Sequence, residues 1–192
     1  MNKKKKYGAI VIGVSAGGLT ALSFIFKKLP ADFSIPIIVI QHRNTSQRDL
    51  LEEILQEKCK LKLKQADEKE KIKEGTIYIG PPDYHLLIES DHTFSLSSDA
   101  RVKYSRPSID VLFESASYVY QDRLVGIILT GANNDGSDGI KRIAKNGGMT
   151  IAQNPEDAEF PPMPEAAIAT GSVRKILSLA EIQKCLLKIN QE

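Results

Sequence analysis

Ser15 sits in the run Gly13-Val14-Ser15-Ala16-Gly17-Gly18, where an apolar segment gives way to a helical pattern. Two chemistries suit a hydroxyl in such a turn. A strand, a glycine-rich turn and a helix can cradle a phosphate on the helix N-terminus. The spacing Gly-x-Ser-x-Gly can instead hold a nucleophile on a sharp elbow. A serine attacks a carbonyl only when an imidazole takes its proton, and a carboxylate must then fix the tautomer of that imidazole. The chain has three histidines. His42 closes the second apolar run, His85 lies within an apolar strand and reads as structural, and His92 reads as a solvated turn residue. Asp135 and Asp138, just beyond "GIILTGANN", compete for the carboxylate role, and either can simply cap the helix that follows. Backbone N–H groups at Ala16 and Gly17 offer donors for a developing oxyanion.

The elements that must position these groups alternate along the chain. "YGAIVIG" reads as a buried strand, and Leu19, Leu22, Phe26 and Leu29 give the next segment an apolar stripe at helical spacing. "IPIIVIQHR" is a second fully apolar strand, of the kind covered on both faces in a parallel sheet. A helix is expected over 49–58. The short stretches "LKLKQA", "GTIYIG", "YHLLIES" and "HTFSLSS" read as an antiparallel hairpin insertion around 60–98. Ser108 reads as the N-cap of a helix carrying Ile109, Leu112, Phe113 and Ala116. "LVGIILTG" and "GMTIAQN" are further buried strands, each followed by a helix, over 136–145 and from Met163-Pro164. "VRKILSL" and a helix over 180–189 close the chain. Strands alternating with helices predict a doubly wound, mostly parallel α/β sheet with an antiparallel insertion. In such sheets sites form outside the carboxyl ends of the strands. Ser15, His42 and Asp135 all fall there, at three different strand ends.

Composition bounds the rest. At 192 residues, with 42% hydrophobic and 26% charged residues, the chain suits one globular domain. Its net charge of +2 gives no electrostatic footprint for nucleic acid. The apolar stretch behind "MNKKKK" is too short to span a bilayer or to serve as a signal peptide. Residues 1–6 therefore read as a basic tail, and Cys59 and Cys185 as reduced thiols in a cytoplasm. A dinucleotide reading needs Gly-x-Gly-x-x-Gly, but Ser15 takes the middle position. It also needs an acid after the second strand, which instead ends Gln41-His42-Arg43. Arg43 suits a 2′-phosphate, so that alternative stays open on these residues.

The motifs Gly13-Val14-Ser15-Ala16-Gly17-Gly18, Gln41-His42, Arg106-Pro107-Ser108-Ile109-Asp110, Leu129-Thr130-Gly131 with Asn134-Asp135-Gly136, and Met163-Pro164 occur here in one combination. Through them the chain resembles the catalytic domain of the chemotaxis protein-glutamate methylesterases, the CheB family, from about Tyr7 to the last helix. The resemblance implies one α/β domain over 7–192. It implies Ser15 as nucleophile, His42 as general base and then acid, and Asp135 as orienter. The oxyanion would be held by the backbone N–H groups of Ala16 and Ala132, and Arg106 and Met163 would contact substrate.

The implied substrates are glutamate γ-methyl esters on the cytoplasmic helices of chemoreceptors, and in some members receptor glutamines, with no metal or cofactor. A separate regulatory or methyltransferase protein is a further candidate partner in a two-component pathway. Neither a nucleic-acid partner nor membrane embedding is implied. A general esterase or amidase of the same fold, or a silent signalling module, are the competing functions. Two departures stand out. Ala132-Asn133 replaces the Met-Gly common in the family, although asparagine tolerates positive φ. Regulated members also carry a receiver domain, and only six residues precede Tyr7 here, so the chain is expected to be open without phosphorylation.

Overall fold

The computed structural model describes residues 7–43 and 50–191. The expected basic tail over 1–6 lies outside them, as does Asp49, the expected start of the second helix. In chain order the elements are β1 (Ala9–Val14), α1 (Gly18–Phe26), β2 (Ile37–Gln41), α2 (Leu51–Lys58), β3 (Lys62–Gln65), β4 (Thr76–Ile79), β5 (His85–Ile88) and β6 (Phe94–Ser97). The second half holds α3 (Ile109–Tyr120), β7 (Leu124–Ile128), α4 (Ser137–Lys145), β8 (Met149–Gln153), α5 (Pro162–Ala169), β9 (Lys175–Leu177) and α6 (Leu179–Asn190).

Seven strands form one sheet in the order β3-β4-β2-β1-β7-β8-β9, and every pairing in it is parallel. The unbroken apolar runs of β1, β2 and β7 are buried at every position, as a sheet covered on both faces demands. Alternate residues feed two cores. Ile10, Ile12 and Val14 face the layer of α1, α2 and α6. Ala9 and Val11 face α3, α4, α5 and the hairpin. Winding runs outward from β1 through β2 and returns to β7 on its other side, so the switch point opens between β1 and β7.

The antiparallel part is smaller than the expected 60–98. Among the strands of the described residues only β5 and β6 pair that way, with single antiparallel bridges outside them at Lys71–Thr93 and Val102–Ser105. β3 and β4 are parallel members of the main sheet. Two strands with no helix between them read as a hairpin, because a parallel neighbour ordinarily needs a helical crossover. Here the connection over 66–75 makes the crossing without one. The cysteines are unpaired thiols. Among the described residues no helix is long and apolar enough to cross a membrane.

One glycine positions the site. A Cβ on Gly13 would lie 2.3 Å from Ile109 Cγ2, far inside contact distance. Glycine at the end of β1 therefore lets the first residue of α3 sit directly on the strand, and the N-terminus of α3 arrives beside the switch point.

Candidate active site

Ser15 follows β1 in a turn tied down on both sides. Its N–H donates to Thr130 O at 3.0 Å, and its carbonyl accepts Gly18 N–H at 2.9 Å and Gln41 Nε2 at 2.9 Å. Gly17, the N-cap of α1, has φ 78°, a conformation glycine adopts without cost. His42 follows the neighbouring strand β2 and donates its N–H to Val14 O at 3.1 Å. Gln41 bridges the two residues, since its Nε2 also donates to His42 O at 2.9 Å. Thr130 fastens the turn from beneath. Its hydroxyl donates to Ala16 O at 2.9 Å and accepts Phe160 N–H at 2.8 Å, and its own N–H is held by Gln153 Oε1.

Asp135, not Asp138, meets the imidazole. His42 Nε2 lies 2.8 Å from Asp135 Oδ2, and Asp135 is fully buried. The carboxylate also closes the N-terminus of α3, accepting the Ile109 N–H at 2.7 Å and the Asp110 N–H at 3.1 Å. Ser108 stands at the N-cap position as expected but does not cap with its side chain; its hydroxyl donates to Asp135 Oδ1 at 2.9 Å. Burial alone would raise the Asp135 pKa, yet the hydrogen bonds from His42, Ile109 and Asp110 outweigh it and hold the carboxyl below its usual range. The helix dipole favours the same charge. Asp138 is an exposed residue held at a pKa of about 2 by hydrogen bonds from Lys141 and Lys103.

The other expected residues divide. The N–H groups of Ala16 and Ala132 have no acceptor among the described residues, as an oxyanion site requires of its donors. Met163 is buried with its sulfur against Gly131, so it lies beneath the loop that carries Ala132. Arg106 lines a cleft of about 240 Å³ that begins at His42 and includes Arg43, Arg101 and Tyr104. His85 is buried and satisfied: its Nδ1 accepts Ser108 N–H at 3.1 Å and its Nε2 faces Ala100 O at 3.1 Å. His92 is a turn residue with φ 62° whose ring packs on Tyr120.

Sequence reading missed Lys103, Tyr104 and the side chain of Asn133. Lys103 Nζ binds Asp110 at 2.7 Å, Asp138 at 2.9 Å, Ser137 Oγ at 3.0 Å and Asn134 O at 3.2 Å. It pins the segment before α3 to the start of α4. Lys103 and the next residue, Tyr104, both have positive φ, 47° and 66°. Tyr104 is 94% exposed at the mouth of the cleft, so packing does not account for it. No periodicity marks a lysine whose partners lie on or just before two different helices, Asp110 seven positions on and Asn134, Ser137 and Asp138 at least 31 positions on. The signal available was a bulky aromatic next to a lysine in an otherwise turn-like stretch.

Comparison with known proteins agrees with this architecture. The family profile described as CheB methylesterase matches residues 10–186. A Leptospira interrogans relative is 51% identical over 185 residues, covering 96% of each chain. A Clostridium acetobutylicum protein-glutamate methylesterase/protein-glutamine glutaminase is 32% identical over 181 residues, 94% of this chain and 52% of that one. The crystal structure of the Thermotoga maritima CheB methylesterase catalytic domain superposes with a TM-score of 0.91 at 30% identity, covering 95% of this chain and 98% of that one. A parallel sheet that sets a serine turn, a histidine and a helix-capping aspartate at one switch point, matched over nearly its whole length in sequence and fold, makes this chain a member of the CheB methylesterase family.

Proposed function

We propose that the chain is a cytoplasmic serine esterase that removes methyl groups from glutamate γ-methyl esters of chemoreceptors, using Ser15, His42 and Asp135. The observation that carries this reading is the His42–Asp135 pair at 2.8 Å, beside a serine turn where the Ala16 and Ala132 N–H groups have no acceptor among the described residues. With Nε2 given to Asp135, Nδ1 is the ring nitrogen left to act as base. Ser15 Oγ attacks the ester carbonyl as its proton moves to Nδ1, and the Ala16 and Ala132 N–H groups hold the oxyanion. The C–O bond to the methoxy group breaks, and that group takes the proton and leaves as methanol. Water then hydrolyses the glutamyl-serine ester by the same steps in reverse roles. A glutamine side chain fits the same sequence with ammonia as leaving group, in keeping with the second activity in the Clostridium relative's name.

The cleft fits an acidic helix. Arg43 is paired bidentately with Glu52, but Arg106 Nη1 donates only to the carbonyls of Ser98 and Asp99, and Arg101 makes no ion pair among the described residues. Two uncompensated cations and an exposed tyrosine thus flank His42. A helix bearing a glutamyl ester among other glutamates would meet them with complementary charge. Methanol release from methyl-labelled receptor membranes tests the function. Release by the parent protein is expected; hydrolysis of small esters without it would leave only a general esterase. Arg101→Glu tests the docking. It should raise KM for a receptor helix about two- to tenfold, the scale of exposed charge pairs, and leave small-ester hydrolysis unchanged. Equal effects on both substrates would remove Arg101 from recognition.

A further inference from the structure

His42 Nδ1, the nitrogen that must accept the serine proton, is already occupied. It lies 3.2 Å from the side-chain amide nitrogen of Asn133. The far end of that amide fixes its orientation, because Asn133 Oδ1 accepts the backbone N–H of Asp135 at 3.0 Å. The atom facing the ring is therefore the NH₂ group, which can only donate. Nδ1 must then be the bare acceptor. The ring proton sits on Nε2 and is received by the Asp135 carboxylate at 2.8 Å. Ser15 Oγ makes no hydrogen bond to the ring among the described residues.

We infer that Asn133 is a positioning residue that competes with Ser15 for His42 Nδ1, so the esterase rests in a latched state and the amide must leave before the serine is activated. The inference rests on the Ser15–His42 reading above. When Ser15 attacks, its O–H bond breaks and an Nδ1–H bond forms. Two donors, the new Nδ1–H and the Asn133 N–H, would then face each other, so the Asn133 hydrogen bond has to be broken before that step. The proton later passes from Nδ1 to the departing methoxy group, and the neutral ring can accept the amide again. No further reactant is consumed. Asp135 alone suffices to keep the proton on Nε2, so removing the amide leaves the tautomer in place and frees the base.

Acylation of Ser15 by a small activated ester, p-nitrophenyl acetate, tests the latch without any contribution from helix docking. Asn133→Gly and Asn133→Ala should react faster than the parent by about two- to tenfold, the scale of one net hydrogen bond. An unchanged or slower rate in a folded variant overturns the latch. Should both variants fail to fold, ring-nitrogen NMR of His42 in the parent and in Ser15→Ala decides. A neutral ring protonated on Nε2, with a hydrogen-bonded Nδ1 in both proteins, is the expected signature. A proton on Nδ1, or a hydrogen bond at Nδ1 that vanishes in Ser15→Ala, overturns it. If Ser15→Ala still turns over the ester, the nucleophile assignment itself fails; if it is inert while the Asn133 variants show no gain, only the latch does.

Discussion

Ser15→Ala is expected to fold like the parent and to lose about 10⁴–10⁶ in turnover, the usual loss when one member of a catalytic unit is removed. Folding should survive because the turn is held by backbone groups and by Gln41 and Thr130, whereas the Ser15 hydroxyl makes no hydrogen bond among the described residues. His42→Ala should be equally damaging, and the double variant little worse, because neither group works without the other. Methanol release measured side by side for the three variants checks this. Activity within tenfold of the parent in Ser15→Ala sinks the nucleophile. His85→Gln is the informative control. Its glutamine can still accept the Ser108 N–H that His85 Nδ1 now accepts, so turnover should persist even if stability falls. A folded His85→Gln protein with no activity would make His85 the base instead of His42.

The three strand-end residues were legible in the sequence because they depend on two local signals, apolar runs and the polar residues that end them. The sheet rule then brings such ends together whatever the strand order. What the sequence did not reveal was how each side chain is used. Ser108 has the right type and place for a helix cap, but the competing acceptor, Asp135, comes 27 residues later and captures the hydroxyl. Asp135 itself takes over the capping, and a carboxylate from another element leaves no mark in the local pattern. The choice between Asp135 and Asp138 likewise turned on the loop before α4. That helix begins at Ser137, which puts Asp138 in its exposed first turn, while Asp135 lies before the helix with its carboxylate against His42 and the N-terminus of α3. β3 and β4 were misread for a related reason. Four-residue strands with turn residues between them carry no sign of whether they pair with each other in parallel or antiparallel sense.

Asp135→Asn is expected to lose roughly 10⁴ in turnover while keeping the fold. The carboxylate accepts from four donors: His42 Nε2, Ser108 Oγ and the N–H groups of Ile109 and Asp110. With its oxygen in the Oδ1 place an asparagine still accepts from Ser108 Oγ and the Asp110 N–H. Its NH₂ then faces His42 Nε2 and the Ile109 N–H, the two donors that share Oδ2. A donor there makes Nε2 the acceptor and moves the ring proton to Nδ1, where it displaces the Asn133 amide. Nδ1 can then no longer take the proton from Ser15, and the imidazolium that forms in the transition state loses its counter-charge. Asp135→Ala is the poorer test, because it would strand buried N–H groups at about 1–3 kcal/mol each and confuse unfolding with inactivity. Stability against pH gives Asp135→Asn a second readout. The Asp135 carboxyl titrates below its usual range in the folded chain, so the ionised group stabilises the fold at pH above its unfolded value, near ~3.9. That stabilisation is lost as pH falls through the folded value. The neighbouring Asp110 works in the opposite sense: burial raises its pKa against the pull of Lys103 and the Gly139 N–H, so its ionised form costs stability at neutral pH and protonation relieves that cost. Part of that rise comes from the Asp135 charge itself, so the stability difference between parent and Asp135→Asn reads Asp135 together with its effect on Asp110. That difference, followed by denaturant unfolding, should shrink as pH falls through the acidic range below about 5. A difference that stayed constant to the lowest pH would mean that Asp135 is not held ionised by its four donors, and the electrostatic account of the His42–Asp135 pair would fall with it.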